Sequence, residues 1–249
     1  RIYRKMNIVA IVQARMGSNR LPGKVLKKIS GKPMLWHVIE RVKRCKGINS
    51  IIVATTNNRE DSIIANLAAK CRVNIFKGSE DDVLSRFYWA AKQYTADIIV
   101  RVTADSPLID PHRIDEAINL LIDDNCDYIN PDRNFSLLPR GIRAEVFPFK
   151  ALERAHQEAL SRSDREHVTS FIQREKALFK YGWLKGRNEF QIPSLRFVVD
   201  EDADLHFIRK IYSKLYKYPE IISLDDVFRL LETENNLLEI NKHVTQKNH

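Results

Sequence analysis

Apolar, β-branched runs alternate with helix-spaced runs along the first half of the chain, and this alternation narrows the fold more than any other feature. Val9–Val12, Ile51–Thr56 and Val73–Lys77 read as strands. Leu35, Val38, Ile39 and Val42 repeat at helical spacing, with Pro33 opening that helix and Gly47 closing it. Ile63, Ile64, Leu67, Ala68 and Cys71 mark a second helix, and Val83, Leu84, Phe87, Tyr88 and Ala91 a third. A fourth strand, Ile98–Thr103, precedes a helix that starts at Asp110-Pro111 and carries Ile114, Ala117, Ile118 and Leu121. The order predicts an α/β fold with a mostly parallel sheet covered on both faces, and ligands outside the carboxyl ends of its strands.

Beyond residue 126 the alternation weakens. Asp127–Asn130 and Ala144–Phe149 look like strands, and 152–160 and 168–172 like helices, while 131–141 is polar and punctuated by Pro131 and Pro139. The region 131–194 is expected to be an excursion from the main sheet within a single domain spanning 1–249. Leu195–Val199 is expected to return as a strand ending at Asp200, followed by a helix with Leu205, Ile208, Ile211, Tyr212 and Leu215 on one face. A last helix starts near Ser223, with Asp226 three residues on as in a capping box, and 242–249 is expected to be a flexible tail. No apolar run reaches the length of a membrane span and no signal-like segment is present, so the expected location is the cytoplasm. Cys45, Cys71 and Cys126 are widely spaced and suit neither a disulfide framework nor a zinc site.

The loop after the first strand carries the chemistry. In Gln13-Ala-Arg-Met-Gly-Ser-Asn-Arg-Leu-Pro-Gly-Lys24, Gly17 and Gly23 let backbone N–H groups approach an anion, and Arg15, Arg20 and Lys24 add positive charge. Thirteen Lys or Arg and one acid, Glu40, lie in residues 1–46, a formal +12 within a chain whose total is +9. That combination reads as a triphosphate cradle, the alternative being a solvated basic loop. It is not a P-loop: five residues, not four, separate Gly17 from Gly23, and Val25 follows Lys24. The dinucleotide fingerprint is absent as well. Basic residues without interleaved aromatics or a recognisable module argue against a nucleic-acid partner. Asp105 and Asp200 each end a strand, where the pair could share a hard divalent cation, although Asp105 could equally cap the turn before Pro107. Asp202 and Asp204 are explained by the helix macrodipole.

These segments, with Gly31-Lys-Pro-Met34, Lys77-Gly-Ser-Glu-Asp-Asp-Val83, Arg101-Val-Thr-Ala-Asp-Ser-Pro-Leu-Ile-Asp-Pro111, Arg165-Glu-His-Val-Thr169 and Val199-Asp200, resemble the cytidylyltransferase family. The nearest branch is the spore coat polysaccharide biosynthesis protein F type. The acylneuraminate and 3-deoxy-manno-octulosonate cytidylyltransferases are similar at greater distance. The resemblance implies a Rossmann-like, three-layer (GT-A-like) nucleotidyltransferase that joins CMP from CTP to an acid sugar and releases pyrophosphate.

By position, the resemblance assigns Ala14, Arg15, Gly17, Ser18, Arg20, Lys24 and Thr103 to the nucleotide, with Gly78 and Ser79 near the base. Asp105 and Asp200 match magnesium ligands, and with Arg15 and Lys24 they form the expected catalytic set. Arms from the middle of such chains commonly build a homodimer. His167 is the candidate for an acceptor-side role. One departure bears on the acceptor. Where the spore coat branch would carry Asp-Gly-x-Asp-x-Glu, this chain has Arg140-Gly-Ile-Arg143-Ala-Glu145, which turns two acids into cations suited to an anionic acceptor. The usual Cys after the metal aspartate is Ser106. Rival readings are a nucleotidyltransferase for another NTP, a glycosyltransferase using Asp200-Glu-Asp202 or Asp202-Ala-Asp204 as a D-x-D motif, and a silent nucleotide-sensing module.

Overall fold

The computed structural model describes residues 6–130, 139–184 and 195–245. Its centre is a seven-stranded sheet in the order β5-β4-β1-β6-β8-β7-β9. β1 (Ile8–Gln13), β4 (Ser50–Thr56), β5 (Asn74–Gly78) and β6 (Ile98–Thr103) run parallel. β8 (Glu145–Pro148) is antiparallel to β6 and to β7 (Tyr128–Asn130), and β9 (Tyr181–Trp183) runs parallel to β7 at the edge. The remaining pair, β2 (Lys28–Ile29) and β3 (Lys32–Pro33), forms a separate hairpin.

Side chains along β1 alternate between two layers of helices, as the two-residue period of a strand requires. Ile8, Ala10 and Val12 pack with α1 (Met34–Val42), α2 (Ser62–Lys70) and α4 (Pro111–Asp123). Val9 and Ile11 face α3 (Val83–Gln93), α5 (Phe149–Glu158) and α7 (Ser170–Arg174). This is the expected three-layer α/β fold with a mostly parallel sheet. Local signals set the helix starts: Asp110 accepts His112 N–H at 3.0 Å ahead of Pro111, and Asp82 accepts Ser85 N–H at 2.8 Å.

A third apolar cluster seats α8 (Asp202–Leu215) and α9 (Leu224–Thr233) against Leu195, Phe197 and Val199. Here the structure corrects the expected strand at 195–199. The segment joins no sheet; it makes an isolated bridge through Arg196 to Arg140 and donates Phe197 N–H to Arg140 O at 2.7 Å and Val199 N–H to Asp105 O at 2.9 Å. Its apolar residues are buried by α8 and α9 rather than by neighbouring strands.

Other boundaries also move. α1 stops at Val42, well before Gly47. The helix expected over 168–172 is α7, which starts only at Ser170 because Val168, buried with φ +45°, separates it from α6 (Arg162–Glu166). Nor is the described part of 131–194 an excursion, because β8 and β9 extend the central sheet and α5 and α7 cover it; 131–138 and 185–194 lie outside the described residues. Of the expected tail, 242–245 is described and buries Val244, while 246–249 lies outside.

Candidate active site

Register places the carboxyl ends of four strands along one edge. Gln13 pairs with Ala54 and Thr103, and Thr56 pairs with Gly78, so the loops after β1, β6 and β5 emerge together. The β1 loop is folded back on itself: Met16 O accepts the N–H groups of Ser18 (2.9 Å) and Gly23 (3.1 Å), and Met16 N–H donates to Asp61 at 2.7 Å. Gly23 turns the chain at φ +65° into the helical turn that begins at Lys24.

Within the cleft, of about 370 Å³, Lys24 Nζ lies 2.6 Å from Asp105 Oδ2, 3.0 Å from Asp200 Oδ1 and 2.9 Å from Val199 O. Asp200 also pairs with Arg20 at 2.9 Å and Arg196 at 2.8 Å. Burial alone would disfavour the Lys24 ammonium, but the charges of Asp105 and Asp200 outweigh it and raise the pKa. Burial likewise works against the Asp200 carboxylate, and Lys24, Arg20 and Arg196 overcome it and lower the pKa. Asp200 and Lys24 therefore hold one another charged.

Asp200 is placed by groups that carry no signal in a local reading. Gly141, at φ +91°, presses on the 197–198 backbone, where an added Cβ would lie 2.7 Å from Phe197 C and Val198 N. Asp204 accepts Asp200 N–H at 3.0 Å and Glu201 N–H at 3.1 Å, pairs with Arg196 at 3.1 Å, and accepts Asn241 Nδ2–H at 3.0 Å. Its carboxylate is fully buried, so it does more than favour the macrodipole, and it is not presented as part of a D-x-D metal motif.

Ala14, Arg15, Gly17, Ser18, Arg20, Lys24, Thr103, Asp105, His167 and Asp200 all line this cleft. Gly78 and Ser79 stand behind the lining, joined to it through Arg86, whose Nη1 donates to Ser79 O at 2.7 Å. Arg140, Arg143 and Glu145 are not in the lining. Arg140 contributes its backbone to the bridge with Arg196. Glu145 is engaged in a network under the floor, accepting from Arg101, Tyr128 Oη, Thr169 Oγ1 (2.8 Å) and Gln173 Nε2 (3.0 Å). Arg101 in turn donates its Nε–H to Gln13 Oε1 at 3.1 Å, and Gln13 does reach the cleft.

Sequence reasoning missed Arg86, Arg196 and Gln13. A usable signal existed for two of them: Arg86 is in phase with the apolar stripe Val83, Phe87 and Ala90, and Arg196 interrupts the apolar run 195–199. A charged residue at a core position needs a partner or a ligand. Cys45, Cys71 and Cys126 are free and buried. Among the described residues no cluster of three or more His, Cys, Asp or Glu could hold a metal by itself, and no helix is long and apolar enough to cross a membrane.

Comparison with known proteins identifies the family and the fold. The family model for cytidylyltransferase matches residues 9–243. The uncharacterized protein MJ1063 of Methanocaldococcus jannaschii is 39% identical over 98% of both chains. The spore coat polysaccharide biosynthesis protein SpsF of Bacillus subtilis is 32% identical over 90% of this chain and 94% of its own. The structure of a cytidylyltransferase from Leptospira borgpetersenii superposes with a TM-score of 0.87 at 27% identity, covering 98% of this chain and all of the other. A parallel sheet whose carboxyl edge gathers a glycine-turned cationic loop and two aspartates, matched by a family over nearly its whole length, makes this chain a nucleotidyltransferase that belongs to the cytidylyltransferase family.

Proposed function

We propose that the protein transfers CMP from CTP, with magnesium, to an anionic sugar or related small acid and releases pyrophosphate. The observation that carries this reading is Lys24 Nζ within 3.0 Å of both Asp105 and Asp200. Carboxylate oxygens that share one ammonium can share one cation, and a pair of protein carboxylates is a donor set that suits a hard divalent ion such as magnesium. Asp105 and Asp200 would hold that ion. It would supply positive charge to offset the charge that builds up on the leaving pyrophosphate.

The chain's own residues do the rest. Arg15, Arg20, the Gly17 N–H and the Ser18 hydroxyl grip the triphosphate. Lys24 would supply its ammonium to a phosphate oxygen. Gly78 and Ser79 stand on the base side, and Thr103 and His167 on the cleft wall. An anionic acceptor is supported by the resemblance to acid-sugar cytidylyltransferases; Arg140 and Arg143, outside the cleft lining, add nothing to that support. The resemblance also supports a homodimer.

The test is to incubate the protein and magnesium with each of the four common NTPs and a panel of acid sugars that includes 3-deoxy-manno-octulosonate, following pyrophosphate. Acceptor-dependent release with CTP is the expected result. Release that requires another nucleotide, or none with any acid sugar, would count against the reading.

A further inference from the structure

Arg86 stands on the sheet-facing side of α3 and is 3% exposed. Its stem lies against Gly78, where an added Cβ would come within 3.0 Å of Arg86 Cγ, and its Nη1 is fixed by the 2.7 Å bond to Ser79 O. Among the described residues no carboxylate pairs with it, Nε is buried without a partner, and the side chain forms part of the cleft wall. Burial, helped by the charge of Arg15, pushes its pKa down to about 10. A rigid, buried guanidinium whose Nε–H has no acceptor is costly in the empty protein, and the cost is offset when a ligand brings one.

The side of the cleft identifies which part of a nucleotide that is. Lys24, Asp105 and Asp200 gather the phosphates where the β1 loop meets the end of β6. Arg86 is tied to Gly78 and Ser79 at the end of β5, and in the order β5-β4-β1-β6 this lies across β1 from Asp105. The part of a nucleotide farthest from its phosphates is the base.

We propose that Arg86 reads the nucleobase, its Nε–H and Nη2–H edge donating to the adjoining acceptors O2 and N3 of cytosine; this rests on the CTP reading above. A guanidinium offers donors only. Cytosine meets it with two acceptors, whereas uracil carries a hydrogen on N3, so one donor would face another and a buried N–H would be left unpaired.

Calorimetric titration of the full chain with CTP, UTP, ATP, GTP and inorganic tripolyphosphate, with magnesium and without acceptor, tests this for wild type, Arg86→Met and Arg86→Lys. Wild type is expected to prefer CTP to UTP by at least about 10-fold, and each variant to lose about 10- to 100-fold in CTP affinity. The CTP-to-UTP preference should collapse towards parity while tripolyphosphate binding changes by less than about 2-fold, because a lysine is a point charge and cannot grip two acceptors. Arg86→Lys keeps the charge and most of the stem, so it decides the question if Arg86→Met fails to fold. An unchanged preference in folded Arg86→Lys overturns the proposal. Parallel loss of tripolyphosphate binding also overturns it, by assigning Arg86 to the phosphates. Wild type that binds UTP as tightly as CTP defeats the proposal but not the fold of the site, and wild type that binds none of the four nucleotides defeats the CTP reading itself.

Discussion

Lys24→Met removes the ammonium between Asp105 and Asp200 while keeping a side chain of similar length. In the wild type Nζ is 2.6 Å and 3.0 Å from the two carboxylates, whose side chains are only 20% and 11% exposed. Unit charges about 4 Å apart attract by about 4 kcal/mol in a medium of effective dielectric near 20, and desolvation cancels much of that. Asp200 would retain Arg20 and Arg196, but Asp105 has no second charged partner among the described residues, so the loss concentrates there. The expected net cost is about 2–3 kcal/mol, below the full penalty for an orphaned buried charge because Asp105 keeps some access to water. For a chain of this size that lowers Tm by roughly 5–10 °C in calorimetry at pH 7.

The pH dependence gives a second check. The folded-state pKa of Asp200 is depressed, so the stability it contributes is present above the unfolded carboxyl value and is lost as pH falls through the folded one. The gap between wild type and Lys24→Met should therefore close on acidification below about pH 4. Magnesium should raise the Tm of the variant more than that of wild type, since the ion no longer competes with an ammonium. A Tm within about 1 °C of wild type at pH 7, or a gap that persists in acid, would refute the argument.

Asp105→Asn and Asp200→Asn should each lower turnover by about 100-fold or more with little change in far-UV circular dichroism, and near-normal turnover at saturating magnesium would exclude them as ligands. His37, whose Nε2–H donates to Ile29 O at 2.7 Å, is driven by burial to a pKa of about 4. Its folded value lies below the unfolded one, so its contribution is complete above about pH 6.5 and drains away as pH falls to 4, roughly 3 kcal/mol in all. Urea midpoints of His37→Leu should fall less steeply over that window than those of wild type, and parallel slopes would disprove the assignment. Gly141→Ala should cost about 2–4 kcal/mol, since its Cβ would meet backbone atoms at 2.7 Å, and should also slow turnover by displacing Asp200. A variant as stable as wild type in denaturant titration would show that the 197–198 segment yields.

Periodicity and local chemistry were enough for much of this protein. Alternating apolar strands and helix stripes up to Asp123 specify a parallel α/β core, because both signals are complete within a few consecutive residues. The cationic, glycine-turned loop could be read for the same reason, and its Arg15, Gly17, Ser18, Arg20 and Lys24 do line the cleft. What a one-dimensional reading could not supply is which distant groups share a neighbourhood. The extended character of 195–199 was visible, but whether its apolar side chains meet a sheet or two helices depends on α8 and α9 folding over it. The partners of the buried cations Arg86 (Ser79 O) and Arg196 (Asp200 and Asp204) are close by in sequence, but only the folded turns after β5 and before α8 bring them together, and Glu145 is removed from the cleft lining by Arg101, Tyr128, Thr169 and Gln173, drawn from β6, β7 and the α7 region. Electrostatic pairing acts through space over a few ångströms, while sequence orders residues along the chain, so Lys24, Asp105 and Asp200 become one site only when the tertiary fold closes on them.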